Sequence, residues 1–227
     1  MLEMRVADDE RINGPDHPDT LTARGNLAEA YLHAGRTQDA ITMLEKVVAD
    51  SQRIKRPDHP QTLAVRGSLG RAYHQAGRTD EGLAIEEQLA ADSSRVRGPH
   101  HPETLIVLGN LAFAYQDAGR LGEAIDLGEQ VATDRTRVLG PDHPNTLIAQ
   151  GNLAFMYQQA GRIGEAIELG EQVATDRTRV LGPLHPQTLL TLEKLATSYR
   201  LAGRIEEALH LGEYVTANRT RLQGGSE

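Results

Sequence analysis

The feature that most constrains this sequence is a repeat with a period of 42 residues. The copies begin at Gly14, Arg56, Gly98, Gly140 and Gly182, and the third and fourth are identical at 34 of 42 positions. Repeats of this length form arrays in which each unit packs only against its neighbours. The repeat therefore predicts a stack of similar units, which needs no single deep core and agrees with a supply of only 2 Phe, 6 Tyr and no Trp in 227 residues.

The repeat also divides the chain. The predicted boundaries are 1–13 for the second half of a truncated repeat, 14–55, 56–97, 98–139, 140–181 and 182–223 for repeats one to five, and 224–227 for a tail or the start of a further linker. The truncated repeat is inferred because Glu3, Asp8 and Arg11 lie 42 residues before Glu45, Asp50 and Arg53. We expect the sequence to be a segment of a longer array or a shortened gene product.

Each copy has the pattern of two helices. In copy three the first helix is predicted to begin at His101-Pro102, since Pro suits the first helical position and a preceding His can cap it. It ends at Ala118-Gly119-Arg120, where Gly119 can adopt the left-handed conformation that ends helices. A second helix is predicted from about residue 122 to residue 138. No segment alternates with period two long enough to form a strand, so the fold class is all-α.

The motif NLAxxYxxAGRxxEA, which begins at Asn110 in copy three, resembles the tetratricopeptide repeat. The 42-residue period and the Gly-Pro-Asp-His-Pro linker are similar to the kinesin-light-chain-like subclass, which is also widespread in bacterial proteins. The resemblance implies a right-handed superhelical solenoid of helix-turn-helix repeats, with a concave groove that binds peptide segments of partners. The family's large aromatic in the second helix is replaced by Gly128, Gly170 and Gly212, and by Glu86 in copy two.

Helical geometry gives the first helix two faces. At about 100° per residue, Leu105, Leu108 and Leu111 share the side that forms the hairpin core. The opposite side mixes apolar and amide side chains, a composition typical of recognition surfaces. The predicted peptide-binding residues on it are Asn26, Glu29, Arg71, His74, Ile106, Asn110, Phe113, Gln116, Asn152, Phe155, Gln158, Lys194 and Arg200.

The resemblance implies that Asn26, Asn110 and Asn152 bind the backbone of the peptide, since an amide offers both a donor and an acceptor. The other interpretation is that these amides bond the neighbouring helix. We expect Ile106, Phe113 and Phe155 to form apolar pockets, although the two Phe rings could instead pack against the adjacent first helix. Charge preference toward the ends would come from the basic residues Arg71, His74, Lys194 and Arg200.

Several kinds of chemistry are not supported. The chain has no Cys, so thiol nucleophiles and Cys-ligated metals are excluded and a reducing, cytoplasmic setting is expected. The recurring histidines, His17, His59, His101, His143 and His185, are predicted to cap helices, because stacked units would hold them roughly 10 Å apart. There is no phosphate-binding glycine loop and no serine nucleophile motif. We expect neither an enzyme nor a cofactor.

The net charge of −8, from 24 basic and 32 acidic residues, disfavours nucleic acid and anionic membranes as partners. The sequence therefore predicts a protein-interaction scaffold that binds a protein or peptide. Two alternatives remain open. The array could be the ligand-sensing, autoinhibitory region of a larger bacterial signalling ATPase, or it could self-assemble through its open ends.

Overall fold

Helices are the only regular secondary structure that the computed structural model shows over the residues it describes, 1–55 and 59–224. They are α1 (Leu2–Asn13), α2 (Pro18–His33), α3 (Thr37–Ile54), α4 (Pro60–Gln75), α5 (Thr79–Arg97), α6 (Pro102–Asp117), α7 (Leu121–Leu139), α8 (Pro144–Gln159), α9 (Ile163–Leu181), α10 (Pro186–Leu201) and α11 (Ile205–Gly224). The predicted all-α hairpin fold is confirmed. The predicted start of copy two, residues 56–58, and residues 225–227 of the predicted tail lie outside the described part.

The chain divides into two compact units, Met1–Leu111 and Ala112–Glu227, and the division falls inside α6. In the first unit α1 to α4 each pack against the next helix, and α2 also contacts α4. In the second unit α7 to α10 do the same, and α8 contacts α10. We call α2, α4, α6, α8 and α10 the first helices of the hairpins, and α3, α5, α7, α9 and α11 the second helices.

Each first helix begins at a capping histidine. The Nδ1 atom of His17 accepts a hydrogen bond from the backbone N–H of Asp19 at 3.2 Å. His59, His101, His143 and His185 make the same bond at 3.1–3.2 Å. This bond satisfies one N–H that the first helical turn leaves free. The prediction that these histidines are caps is confirmed.

In three of the first helices, a threonine two residues after the proline ties the helix to the preceding linker. Thr20, Thr146 and Thr188 are fully buried, and their hydroxyls donate to the carbonyls of the linker glycines at 2.8–2.9 Å. Because both this bond and the histidine cap fix the first turn, the side of the first helix that faces the hairpin core is set locally.

The turn between the two helices of a hairpin is a repeated Tyr-x-x-Ala-Gly-Arg unit. In copy one Gly35 has φ of 74°, the left-handed conformation expected of the helix-ending glycine. The N–H of Arg36 donates to the carbonyl of Tyr31 at 2.8 Å, and its guanidinium lies 4.0 Å above the Tyr31 ring. The predicted left-handed Gly119 has the same φ of 74°. The tyrosine thus closes its own hairpin through both backbone and ring.

The tyrosine also joins adjacent hairpins. The Tyr73 hydroxyl donates to Glu45 of α3 at 2.6 Å, and the Tyr157 hydroxyl donates to Glu129 of α7 at 2.8 Å. Burial, followed by this hydrogen bond, raises the pKa of Tyr73 and of Tyr157 to about 12. One tyrosine per copy therefore stabilises both the turn of its own hairpin and the contact with the preceding hairpin. This explains why the fold needs few large aromatic side chains.

Candidate functional site

The candidate site is the exposed side of the first helices, which we call the open face. Three positions at its centre recur once in every repeat. In the first unit they are occupied by Thr22, Asn26, Glu29, Ala64, Ser68, Arg71, Ile106 and Asn110. In the second unit they are occupied by Phe113, Ile148, Asn152, Phe155, Leu190, Lys194 and Thr197. The opposite side of the same helices is buried, as predicted: Leu105, Leu108 and Leu111 are all in the core. The two-face prediction for the first helix is confirmed in this respect.

The three asparagines are exposed and available. Among the described residues, no hydrogen bond partner is found for the side chain of Asn26, Asn110 or Asn152. The interpretation that these amides bond a neighbouring helix is therefore wrong. Each presents a free donor and a free acceptor to solvent.

Large apolar side chains lie on the same helices as Asn110 and Asn152, and on α10. Ile106 is 45% exposed and Phe113 is 50% exposed, and Ile148 and Leu190 are exposed in the same way on α8 and α10. Phe155 is half-buried. Exposed apolar side chains beside unpaired amides form a surface suited to binding an extended chain, whose backbone needs hydrogen bonds and whose side chains need apolar contact.

The open face of the first unit is partly closed by its own side chains. Glu29 forms an ion pair with Arg71, and it accepts a hydrogen bond from Ser68 at 2.7 Å. Ser68 is the residue that stands in copy two where copies one, three and four have asparagine. Two predicted groove residues, Glu29 and Arg71, are thus each other's partners.

The open face of the second unit has a cationic end. The Lys194 ammonium lies 4.4 Å from the centre of the Phe155 ring, an arrangement that attracts cation and ring. Burial lowers the pKa of Lys194, and the charge of Arg177 lowers it further. No carboxylate partner of Lys194 is found among the described residues.

Arg177 on α9 lies under this end of the face. Its guanidinium is buried and donates to the Thr191 hydroxyl at 2.6 Å, and also to the backbone carbonyls of Leu147 and Gln187 at 3.0 and 3.1 Å. A Cβ added at Gly151 would lie 3.4 Å from its Nη2 atom, so the glycine lets the cation come close to α8. Burial lowers the pKa of Arg177.

Sequence reasoning missed Arg177, because it lies on a second helix. A signal was present: second helices carry Ser51 and Ser93 in copies one and two, and arginine at this position in copies three to five. The corresponding change on the first helices is from Arg24 and Arg66 to uncharged residues. Copies one and two therefore carry this arginine on the first helix, whereas copies three to five carry it on the second helix.

Two predicted groove residues face neighbouring helices instead of the groove. Gln116 is buried, and its amide donates to Gln159 at 2.7 Å. His74 lies 3.4 Å from the Glu86 carboxylate of α5, and a Cβ at Gly82 would be 2.8 Å from its ring. Position 116 lies roughly 80° from Ile106 around the helix, so it falls at the edge where hairpins meet. Both residues were wrongly placed on the open face.

The remaining predicted residues occupy the same edge. Gln158 is half-buried and accepts a hydrogen bond from the Ser198 hydroxyl at 3.1 Å, which ties α8 to α10. Arg200 is exposed at the corresponding position of α10.

Over the described ranges, no group of three His, Asp or Glu side chains is placed to hold a metal ion. Within the same ranges, no helix combines the length and apolar character needed to cross a membrane.

Comparison with known proteins identifies the repeat. The family model for the tetratricopeptide repeat matches residues 6–52, 28–91, 81–133, 109–175 and 149–221. The chain is similar to the crystal structure of a protein from Podosopora anserina described as a kinesin light chain with nearly identical TPR-like repeats. The identity is 36%, the TM-score is 0.82, and the match covers 91% of this chain and 98% of that one.

More distant structures share the fold alone. BtubC (BKLC) from P. vanneervenii is 17% identical with a TM-score of 0.81, over 98% of this chain and 92% of that one. MamA from MSR-1 is 22% identical with a TM-score of 0.58, over 88% of this chain and 97% of that one. No curated protein sequence matches the chain.

Proposed function

Because the chain belongs to the tetratricopeptide repeat family, whose fold is a general scaffold for protein interactions, we propose that it is non-enzymatic and captures a peptide segment of a partner protein on its open face. The observation that carries this proposal is the set of unpaired, exposed amides of Asn26, Asn110 and Asn152 among exposed apolar side chains.

The amides would bind the peptide backbone. An Asn side chain can accept from a peptide N–H and donate to the neighbouring carbonyl, so its contribution does not depend on the peptide's side chains. Net, such a bond contributes about 1 kcal/mol, or roughly a fivefold change in Kd. Ile106, Phe113, Ile148 and Leu190 would take up apolar side chains of the peptide and so determine part of its sequence.

The two units would differ in the charge they accept. In the first unit Arg71 is neutralised by Glu29, so this part of the face adds little net charge. In the second unit no acidic partner of Lys194 or of the underlying Arg177 is found among the described residues. We therefore propose that a peptide bound to the second unit carries acidic residues near Lys194. Phe155 holds the ammonium in place through its ring face.

Selection from a random peptide library displayed on phage tests this proposal, followed by fluorescence polarisation of the selected peptides. Asn152→Ala is expected to weaken binding about fivefold. Lys194→Ala is expected to weaken acidic peptides more than neutral ones. The matched control is Gln172→Ala, which removes an exposed amide from α9.

Selected peptides that bind Asn152→Ala, Asn110→Ala and Lys194→Ala as tightly as the unmodified chain would show that the open face is not the binding surface. Weakening by Gln172→Ala as large as that by Asn152→Ala would show the same, because any surface amide would then suffice.

A further inference from the structure

The open face of the first unit contains a cavity between α2 and α4, with α3 beneath it. Its volume is about 280 Å³, whereas the space at the corresponding place in the second unit has about 70 Å³. Most residues that line the two spaces hold the same repeat positions, for example Gly25 and Asn26 in the first and Gly151 and Asn152 in the second. The two units therefore share one site, which is open in the first unit and largely filled in the second.

The difference comes from one residue of the second helix. In the second unit the buried guanidinium of Arg177 occupies part of the site, and in the first unit Ser51 stands at the same position. A Cβ added at Gly151 would lie 3.4 Å from Arg177, but a Cβ added at Gly25 would have nothing within 4 Å. Arg24 of the first unit binds carboxylates and does not line the cavity. Serine in place of arginine thus leaves open the space of a guanidinium.

The backbone oxygens that bind Arg177 have counterparts around the open cavity. Arg177 donates to the carbonyls of Leu147 and Gln187 at 3.0 and 3.1 Å. Leu21 and Gln61 hold these repeat positions in the first unit, and both line the cavity. Because a backbone carbonyl is present whatever the side chain, both acceptors are kept.

Two side chains add acceptors to this cavity. Ser51 is 3% exposed and lines the cavity, and among the described residues no hydrogen-bond partner is found for its hydroxyl. Glu29 also lines the cavity and adds a carboxylate. Val65 stands where the Thr191 hydroxyl accepts from Arg177, so one acceptor of the second unit is lost. A buried hydroxyl without a partner is unfavourable, and a ligand that binds it removes this cost.

From these contacts we infer that the cavity of the first unit binds the guanidinium of an arginine side chain in the captured peptide. Such binding presupposes the proposed capture of peptides on the open face. The planar guanidinium has five N–H donors that reach several separate oxygens at once, whereas a lysine ammonium has three donors on one atom. Arg177 shows that neutral oxygens at this site are enough to hold a buried guanidinium in this protein.

Lys55 places a positive charge in the lining, where its ammonium donates to the Gln61 side chain. A second cation is compatible with the site, because in the second unit Lys194 lies close enough to Arg177 for that charge, after burial, to lower the pKa of the lysine. An acidic side chain in the cavity would approach Lys55 but also Glu29. It has no donor for the backbone carbonyls, so it fits the cavity less well than a guanidinium.

Parallel selections from the random peptide library test the inference. The targets are the unmodified chain, Ser51→Arg, Ser51→Met and the matched control Gln52→Arg, which adds the same charge at the next, exposed position. In peptides from the unmodified chain and Gln52→Arg, arginine is expected to be enriched about tenfold over the library, the ratio that one hydrogen bond to a charged group provides. Ser51→Arg and Ser51→Met are expected to abolish the enrichment, because their side chains fill the cavity.

Urea denaturation gives a second measurement. Ser51→Arg is expected to keep the urea midpoint of Gln52→Arg, because the new guanidinium meets oxygens equivalent to those around Arg177. A clear loss of stability in Ser51→Arg alone would show that the cavity does not accept a guanidinium, and would overturn the inference. Circular dichroism checks that all variants remain helical.

The outcomes of the selection separate this inference from the proposed function. Peptides that bind the chain without enrichment of arginine, or that keep it with Ser51→Arg, overturn the inference and leave peptide capture standing. Enrichment of acidic residues that Lys55→Ala removes would make an anion the occupant and would also overturn the inference. A selection that yields no binding peptide would overturn the proposed function, and this inference with it.

Discussion

Each compact unit buries arginines among its helices, but those of the first unit lie on first helices and Arg177 of the second unit lies on a second helix. In the first unit Arg24 and Arg66 lie on first helices, and the corresponding second-helix residues are Ser51 and Ser93. In the second unit Arg177 lies on a second helix, and Leu192 stands where α4 has Arg66.

The partners differ as well. Arg66 binds the Asp92 carboxylate at 2.6 Å, whereas hydroxyl and carbonyl oxygens surround Arg177. Both units thus contain a buried guanidinium, carried by different helices. Whether the buried arginine binds a carboxylate or neutral oxygens determines how the stability of each unit depends on mutation, pH and salt. In the second unit the neutral oxygens also leave the cation uncompensated beneath the open face.

The largest expected difference is in the cost of removing each arginine. Arg66→Met leaves Asp92 buried without its main partner and is expected to lower the free energy of unfolding by about 3 kcal/mol. Arg177→Met leaves only neutral oxygens unpaired and is expected to cost about 1.5 kcal/mol. Urea denaturation followed by circular dichroism measures both values.

Two controls sharpen this prediction. Arg95→Met removes an exposed arginine 3.4 Å from Asp92 and is expected to cost less than Arg66→Met. Arg66→Met combined with Asp92→Leu replaces the pair by apolar side chains and is expected to recover most of the loss. Equal losses for Arg66→Met and Arg177→Met would contradict the comparison.

Acid is expected to affect the first arrangement next most strongly. Burial alone would raise the pKa of Asp92, but the hydrogen bond and charge of Arg66 outweigh it and hold the pKa below its usual value. The stabilisation by Asp92 is therefore present above about pH 4 and is lost as the pH falls further. Asp92→Asn is expected to cost about 2 kcal/mol at pH 7 and less at pH 3.

Urea midpoints of Asp92→Asn and the unmodified chain between pH 3 and pH 7 check this. Arg177 binds neutral oxygens and adds no comparable dependence in this range. A stability difference that stays constant with pH would show that the Asp92 carboxylate is not held in its charged form by Arg66.

The tyrosines are expected to be equivalent in the two units. Tyr73→Phe and Tyr157→Phe each remove one hydrogen bond to a glutamate of the preceding second helix, and each is expected to cost about 1 kcal/mol. Because the pKa of each tyrosine is raised to about 12, its stabilisation is complete below pH 10 and is lost as the pH rises toward 12. Both variants should lack this alkaline loss. A clear difference between them would mean that the units differ in more than the arginine.

The smallest effects are expected at the exposed ion pairs. Arg53 pairs with Asp16 in the first unit, and Arg179 pairs with Asp142 in the second, with all four side chains at least half exposed. Because water and salt screen such pairs, Arg53→Ala and Arg179→Ala are expected to leave the urea midpoint nearly unchanged at 0.5 M NaCl. A marked loss in only one unit would locate a further difference between the units.

The sequence predicts best what is determined within one hairpin. The histidine caps, the left-handed Gly119 and the buried side of the first helix depend on neighbours a few residues away, and all are confirmed. The exposure of Asn110 follows from the same helical geometry. These features need no knowledge of how one hairpin sits on another.

The errors arise where packing between helices decides. His74 fits against α5 because copy two has Gly82 where other copies have alanine, and Glu86 fits because Gly70 likewise replaces alanine. The larger side chains of His74 and Glu86 are thus accommodated by glycines on the opposite helix of the hairpin. Each change is visible in the sequence, but only the contacts show that they compensate one another. Gln116 was misplaced for a related reason, because it lies at the edge between hairpins.

Site-specific photo-crosslinking tests most directly whether the open face captures peptides. A photoreactive phenylalanine analogue is placed at Phe155 on the open face, or at Glu168, an exposed position on α9. Each protein is irradiated with peptides selected from the random library. Capture is expected at position 155, reduced by Asn152→Ala, with little at position 168. Capture at 168 that equals or exceeds that at 155 would contradict the account.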